Sequence, residues 1–297
     1  MSGARFTIGQ RLLCVMAVTL RLVTGLAAAG VVLVHAGTPQ RIVSLSPHAT
    51  ELLFSVGAGD QVVAVSESCD YPEAVRRLPK VSGYRGTNVE AVIALKPDLV
   101  VAWPGGNRAA DLAALRRLGV RVYESELDTL TGILAEVRRF SEWATDDESR
   151  RHAMRHAGDA TAQILSLQRR YGTSRRVRVF YQLGAGRLFT LSDRHAVGEA
   201  LAVCGAENVF GRLQLPAPEV SSEAVLAAKP EAVLVADPAS LVAVREQWTS
   251  ARLFDTRSAD VRVLAVDGAR LHRPTLRTFA AVQALCESID RVRHTLR

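Results

Sequence analysis

His152 and His156 stand four residues apart, the spacing that sets two imidazoles on one helix face for a divalent metal. No glutamate follows His152 in the H-E-x-x-H order of a metalloprotease, and arginines flank both rings. No metal site is read here. The chain also lacks a G-x-S-x-G elbow, a Walker loop, and a G-x-G-x-x-G run opening a helix. No catalytic residue is assigned and the chain is read as a non-enzyme, with an α/β enzyme of dispersed active site as the remote alternative. What the chain does offer is surface for a ligand. Aromatics make up only 5% of it, so each one in a loop is informative. Trp103 is followed by Pro104-Gly105-Gly106, where glycines let backbone approach a ligand closely. Tyr84 sits between Gly83 and Arg85-Gly86, again in a turn.

Such side chains need a frame, and a repeat supplies it. Residues 88–100 read NVEAVIALKPDLV and residues 221–233 read SSEAVLAAKPEAV; from Glu90 to Val100, seven of eleven positions are identical. In each copy a capping residue, Asn88 or Ser221, opens a short amphipathic helix. Lys-Pro then ends it, because the proline ring forbids continuation. A β-branched run follows without polar alternation, as in a parallel sheet covered on both faces. Glu90 and Glu223 fall at equivalent first-turn positions, where a carboxylate gains about 0.3–1 kcal/mol from the helix dipole.

Further apolar runs at 41–45, 62–65, 120–123, 177–181 and 261–266 complete the pattern of alternating helix and strand. The expected fold is α/β, with two doubly wound lobes and a ligand cleft between them. Thr145-Asp146-Asp147-Glu148 has the form of a capping box. Ala153, Ala157, Ala160, Ile164, Leu167 and Tyr171 then recur at alternating spacings of four and three up to Gly172, a C-terminal stop. A helix over 146–171 spans about 39 Å and joins the lobes rigidly. The reading is thus 1–36 signal peptide, 37–144 first lobe, 145–172 connecting helix and 173–297 second lobe.

The 297 residues are 48% hydrophobic and 23% charged, enough for two lobes with cores of their own. The net charge is +7, but residues 1–36 hold three arginines and no acids, so the rest carries only +4. Basic stretches such as Arg175-Arg176-Val177-Arg178 lack interleaved aromatics, and no nucleic-acid partner is expected. Residues 22–34 are almost wholly apolar and Val34-His35-Ala36 fits a cleavage site, so export is expected with processing near Ala36. Arg21 interrupts the apolar run from Leu12, which makes Met16 an alternative start to Met1. Of the cysteines that remain, Cys69, Cys204 and Cys286, two can pair in an oxidising compartment.

In SLSPHATELLFSVGAGDQVVAVS, CDYPEAVRRLPKVSGYRGTNVEAVIALKPDLVVAWPGGN and VCGAENVFGRLQLPAPEVSSEAVLAAKPEAV the chain resembles the periplasmic cobalamin-binding proteins of bacterial vitamin importers. More broadly it resembles the helical-backbone class of solute-binding proteins, which includes carriers of haem and siderophores. The resemblance runs from about residue 41 to residue 293. It implies a periplasmic monomer that binds a corrinoid, cobalamin or cobinamide, and delivers it to an ABC permease in the inner membrane. No covalent cofactor is implied. A haem or iron-siderophore carrier of the same fold is the alternative.

By the resemblance, Trp103 and Phe189 fall on aromatic positions that press on the corrin. Tyr84 replaces a tryptophan, and Arg273 matches a polar contact at the cleft. Ser68 stands where the family has a tyrosine, Ala217 where it has a tryptophan, and His272 where it has an acid. Two aromatic faces are thus missing, each worth a few kcal/mol of apolar burial. His272 is read either as a polar loop residue or as an axial ligand, since neutral imidazole suits cobalt and iron. Glu90 and Glu223 become a docking pair, one per lobe, for permease arginines. Cys204 and Cys286 match the family's disulfide, leaving Cys69 a free thiol.

Overall fold

The computed structural model describes residues 38–296; the export signal and the choice between Met1 and Met16 lie outside them. The first half builds a six-stranded sheet. Its strands are β1 (Ile42–Ser44), β2 (Val62–Ser66), β3 (Lys80–Gly83), β4 (Gly86–Thr87), β5 (Leu99–Ala102) and β6 (Val122–Glu124). They lie in the order β4-β3-β2-β1-β5-β6. All neighbours run parallel except β3 and β4, an antiparallel edge hairpin. That hairpin departs from the all-parallel expectation, because Lys80–Gly83 is too short and polar to stand out as a buried run. Helices α1 (Pro47–Ser55), α2 (Val89–Ala94), α3 (Ala109–Arg117) and α4 (Leu130–Ser141) cover the sheet. Every residue of β1 and of β5 is buried, as a two-sided cover requires.

The long helix α5 runs from Asp147 to Tyr171, 25 residues or about 38 Å. Its buried residues are the six of the predicted stripe. Its start differs from the capping box read above. Asp146 is the N-cap and accepts from the Ser149 amide at 2.8 Å, while Thr145 turns away and donates to the Gly57 carbonyl at 3.1 Å. Asp146 prevails because its carboxylate takes both the amide and the hydroxyl of Ser149.

The second sheet contains β7 (Val177–Gln182), β8 (Ala206–Asn208), β9 (Ala232–Val235) and β10 (Val263–Ala265), all parallel, in the order β10-β9-β7-β8. Around it lie α6 (Ala196–Val203), α7 (Ser222–Ala228), α8 (Leu241–Ser250), α9 (Thr256–Arg262), α10 (Gly268–Leu271) and α11 (Arg277–Thr295). The two-lobed α/β reading therefore holds. One apolar cluster runs from Ile42 and Leu53 of the first lobe, through Ala157 and Ile164 of α5, to Tyr181 and Val282 of the second. A core shared in this way opposes wide hinging, since parting the lobes would expose it to water.

Cys204 and Cys286 form a disulfide with Cα atoms 4.5 Å apart, tying α6 to α11. Cys69 is free and buried. Among the described residues no helix is long and apolar enough to cross a membrane.

Candidate functional site

In each sheet the chain order reverses once, and crevices open there beyond the carboxyl ends of the strands. In the first lobe the reversal lies between β1 and β5. Leu45 and Trp103, the residues just past those strands, line a cavity of about 500 Å³ together with Ser68 and Tyr84. In the second it lies between β7 and β9. There Leu183 and Ala236 line a cavity of about 630 Å³ that also contains His272.

Trp103 is held where a ligand can meet it. It is 40% exposed, whereas Trp143 and Trp248 are core residues. Its amide donates to Asn107 Oδ1 at 2.7 Å, and Asn107 Nδ2 donates to the Leu45 carbonyl at 3.1 Å, tying the loop across the reversal. His48 and the indole pack nearly perpendicular to each other with ring centroids 5.9 Å apart. Burial lowers the His48 pKa to about 4, so the ring beneath Trp103 is neutral. A Cβ on Gly105 or Gly106 would come within 2.7 or 2.3 Å of the indole, so these glycines make room for Trp103 itself. Tyr84, at the β3–β4 turn, is fully exposed. Ser68 shares a 2.8 Å hydroxyl contact with Ser66.

The other predicted residues are arranged differently. Phe189 does not line the cavity of Trp103 and Tyr84; it makes an isolated bridge to Glu219, with the Arg187 guanidinium 5.2 Å from its ring centroid. Ala217 is exposed in the loop before that bridge. His272 is half-buried, and its Nε2 lies 3.0 Å from the Tyr181 hydroxyl. Burial first, and His195 second, lower its pKa to about 4. An axial role through Nε2 would require that nitrogen to leave Tyr181.

Arg273 reaches across to the first lobe. Its guanidinium forks on Asp70, with Nη2 3.3 Å from Oδ2, and its Nη1 lies 3.7 Å from Glu51 Oε1. Beside it, Arg277 forks on the buried Glu51 at 3.0 and 2.6 Å, and Tyr71 covers the Arg277 guanidinium at 3.9 Å. The Arg273 contact holds the Asp70 carboxyl below the usual range. None of Glu51, Asp70, Tyr71 or Arg277 stands out in the sequence, because their partners are roughly 200 residues away. The one local signal is the Asp70-Tyr71-Pro72 turn, with a cis bond before Pro72.

Glu90 and Glu223 are both exposed, each at the second position of its helix. Among the described residues neither is paired with a cation within 4.0 Å. No group of three or more metal-ligating side chains occurs among the described residues.

Two α/β lobes thus share one core and a bridging helix, and each carries a cavity at its switch point. Residues 42–252 match the periplasmic binding protein family model, and the chain belongs to that family. Within it, the chain is similar to the vitamin B12-binding protein of Vibrio campbellii, at 36% identity over 86% of this chain and 92% of that one. The Photorhabdus laumondii protein of the same name is 32% identical over 85% and 88%. Among solved structures, the periplasmic vitamin B12 binding protein BtuF of Vibrio cholerae superposes with a TM-score of 0.77 at 34% identity, covering 86% of this chain and 98% of that one. The haem-binding protein BhuT, solved with two haems, has a TM-score of 0.70 at 22% identity, with 85% and 98% covered; it shares the fold.

Proposed function

We propose that this chain is the periplasmic solute-binding component of an ABC importer, exported and processed near Ala36, and that its cargo is a corrinoid. Trp103 carries the reading. A chain with few aromatics holds an indole open at a switch point, braced by His48 and Asn107, beside a fully exposed Tyr84. Broad aromatic faces of this kind suit a large, flat, partly apolar ring. The similarity to vitamin B12-binding proteins over most of both chains supports the same cargo.

In this reading Trp103, Tyr84 and Phe189 give apolar contact, while Ser68, His272 and Arg273 lie at polar edges. The lobes are residues 37–144 and 173–297, with 145–172 between them. Glu90 and Glu223 meet cationic sites on the inner-membrane permease, and the carrier acts as a monomer. Calorimetry with cobalamin, cobinamide and haem tests the cargo, with corrinoid binding expected. Haem binding that disappears in His272→Ala, with no corrinoid signal, would reassign the chain to haem transport.

A further inference from the structure

The two switch-point cavities are poor in positive charge, although Lys80 and Arg85 line the cavity next to the first of them. No lysine or arginine lines either switch-point cavity. Glu67 lines the first, and Asp237 and Asp267 line the second. Beside the cavities, two arginines bridge the lobes, and both are neutralised. Arg277 is bound to Glu51, whose side chain is 3% exposed. Losing that partner would strand a buried carboxylate, so the pair is not exchangeable. Arg273 is bound to Asp70, whose side chain is 57% exposed, so this pair can open. The backbone beneath is fixed, because Thr278 Oγ1 donates to the carbonyls of Arg270 and Arg273, both at 3.0 Å. Only the Arg273 side chain is free to change partner. The bridge is tied through the chain to a lining residue of each cavity, since Ser68 precedes Asp70 by two residues and His272 precedes Arg273 directly, although neither Asp70 nor Arg273 is itself a lining residue.

We infer that Asp70 is a specificity-determining residue: by occupying Arg273 it makes the site select macrocycles fringed by neutral amides and reject those fringed by carboxylates. An amide accepts a hydrogen bond from the outer edge of the guanidinium without displacing Asp70. A carboxylate has to compete with Asp70 for the same fork and meets Glu67 and Asp237, neither of which is paired with a cation among the described residues, whereas Asp267 is paired with Arg270 at 3.4 Å. This is discrimination by repulsion, which costs the wrong ligand more than it gains the right one.

The inference rests on the proposed macrocyclic cargo, and the test separates the two. Cobinamide and cobyrinic acid are corrin rings fringed by amides and by carboxylates respectively. The wild-type protein is expected to prefer cobinamide by about tenfold or more, as like-charge juxtaposition predicts. Asp70→Asn is expected to narrow that ratio about tenfold, and added salt to narrow it in the wild type. Equal wild-type affinities overturn the inference, as does an unchanged ratio in an Asp70→Asn protein with native melting behaviour. If neither corrin binds, the corrinoid reading fails, and the charge filter is then judged on haem against its dimethyl ester. Preference for the ester sustains it; preference for haem, or binding of neither, overturns it.

Discussion

The two copies of the repeat share one backbone and end in opposite surfaces. Asn88 Oδ1 accepts from the Ala91 amide at 3.0 Å, and Ser221 Oγ from the Ala224 amide at 3.2 Å. Lys96 and Lys229 then take left-handed φ values of 48° and 47°, and each is followed by proline and a fully buried strand. At the next position the copies part. Trp103 stands 40% exposed, whereas its counterpart Ala236 is 5% exposed. Ala236 is pinned: a Cβ on Gly268 would fall 2.3 Å from the Ala236 carbonyl oxygen, so only glycine lets the two loops pass. The repeat therefore decides where each cavity opens, and the residue after the strand decides whether its wall is aromatic or small. The lobes also differ in reinforcement, since the disulfide lies in the second alone among the described residues.

The largest effect expected of breaking this asymmetry is in stability. Replacing Cys204 and Cys286 with serine should cost about 4–5 kcal/mol on the chain-entropy model, for a sequence separation of 82. Denaturant unfolding measures the loss, and hydrogen exchange should quicken first in α6 and α11. Equal acceleration in the first-lobe helices would show that the shared core transmits the constraint and that the lobes are one unit.

Trp103→Ala should next weaken corrinoid binding by about 2–4 kcal/mol in calorimetry, the cost of losing a central aromatic anchor. Phe189→Ala should cost less, because that ring already packs beneath Arg187. A reversed order would move the principal wall to the second lobe.

Acidification tests whether the two histidines behave alike. Both have folded pKa values of about 4, set first by burial. The unfolded chain takes up those protons near pH 6.5, so between pH 6.5 and 4 it binds more protons than the native state. Stability should therefore be full above that window and decline as pH falls through it. For the well-buried His48 the loss is on the order of 2–3 kcal/mol. His48→Gln should flatten the curve, and an unaltered curve would place the acid sensitivity elsewhere.

The smallest effect on binding belongs to the symmetric pair. Glu90→Ala with Glu223→Ala should leave calorimetric affinity the same and sharply lower uptake, mainly through slower association with the permease. Normal transport by the double variant would make both glutamates simple helix-end residues.

Much of this molecule is local and was therefore readable along the chain. The caps at Asn88 and Ser221, the Lys-Pro stops, the buried strands and the six-residue stripe of α5 depend on neighbours within a few residues or on burial period. Trp103 was legible because an indole followed by proline and glycines marks a loop, although those glycines accommodate the indole rather than a ligand. Resemblance, not spacing, paired Cys204 with Cys286. Tertiary structure alone decided what the polar residues touch: Arg273 meets Asp70, 203 residues away, and Arg277 meets Glu51, 226 away. It also set His272 against Tyr181 and Phe189 under Arg187. Hydrogen bonds and ion pairs form with whichever partner the packed lobes bring within about 3 Å. Capping and periodicity act along the chain, whereas charge recognition acts through space, and only the folded lobes define that space.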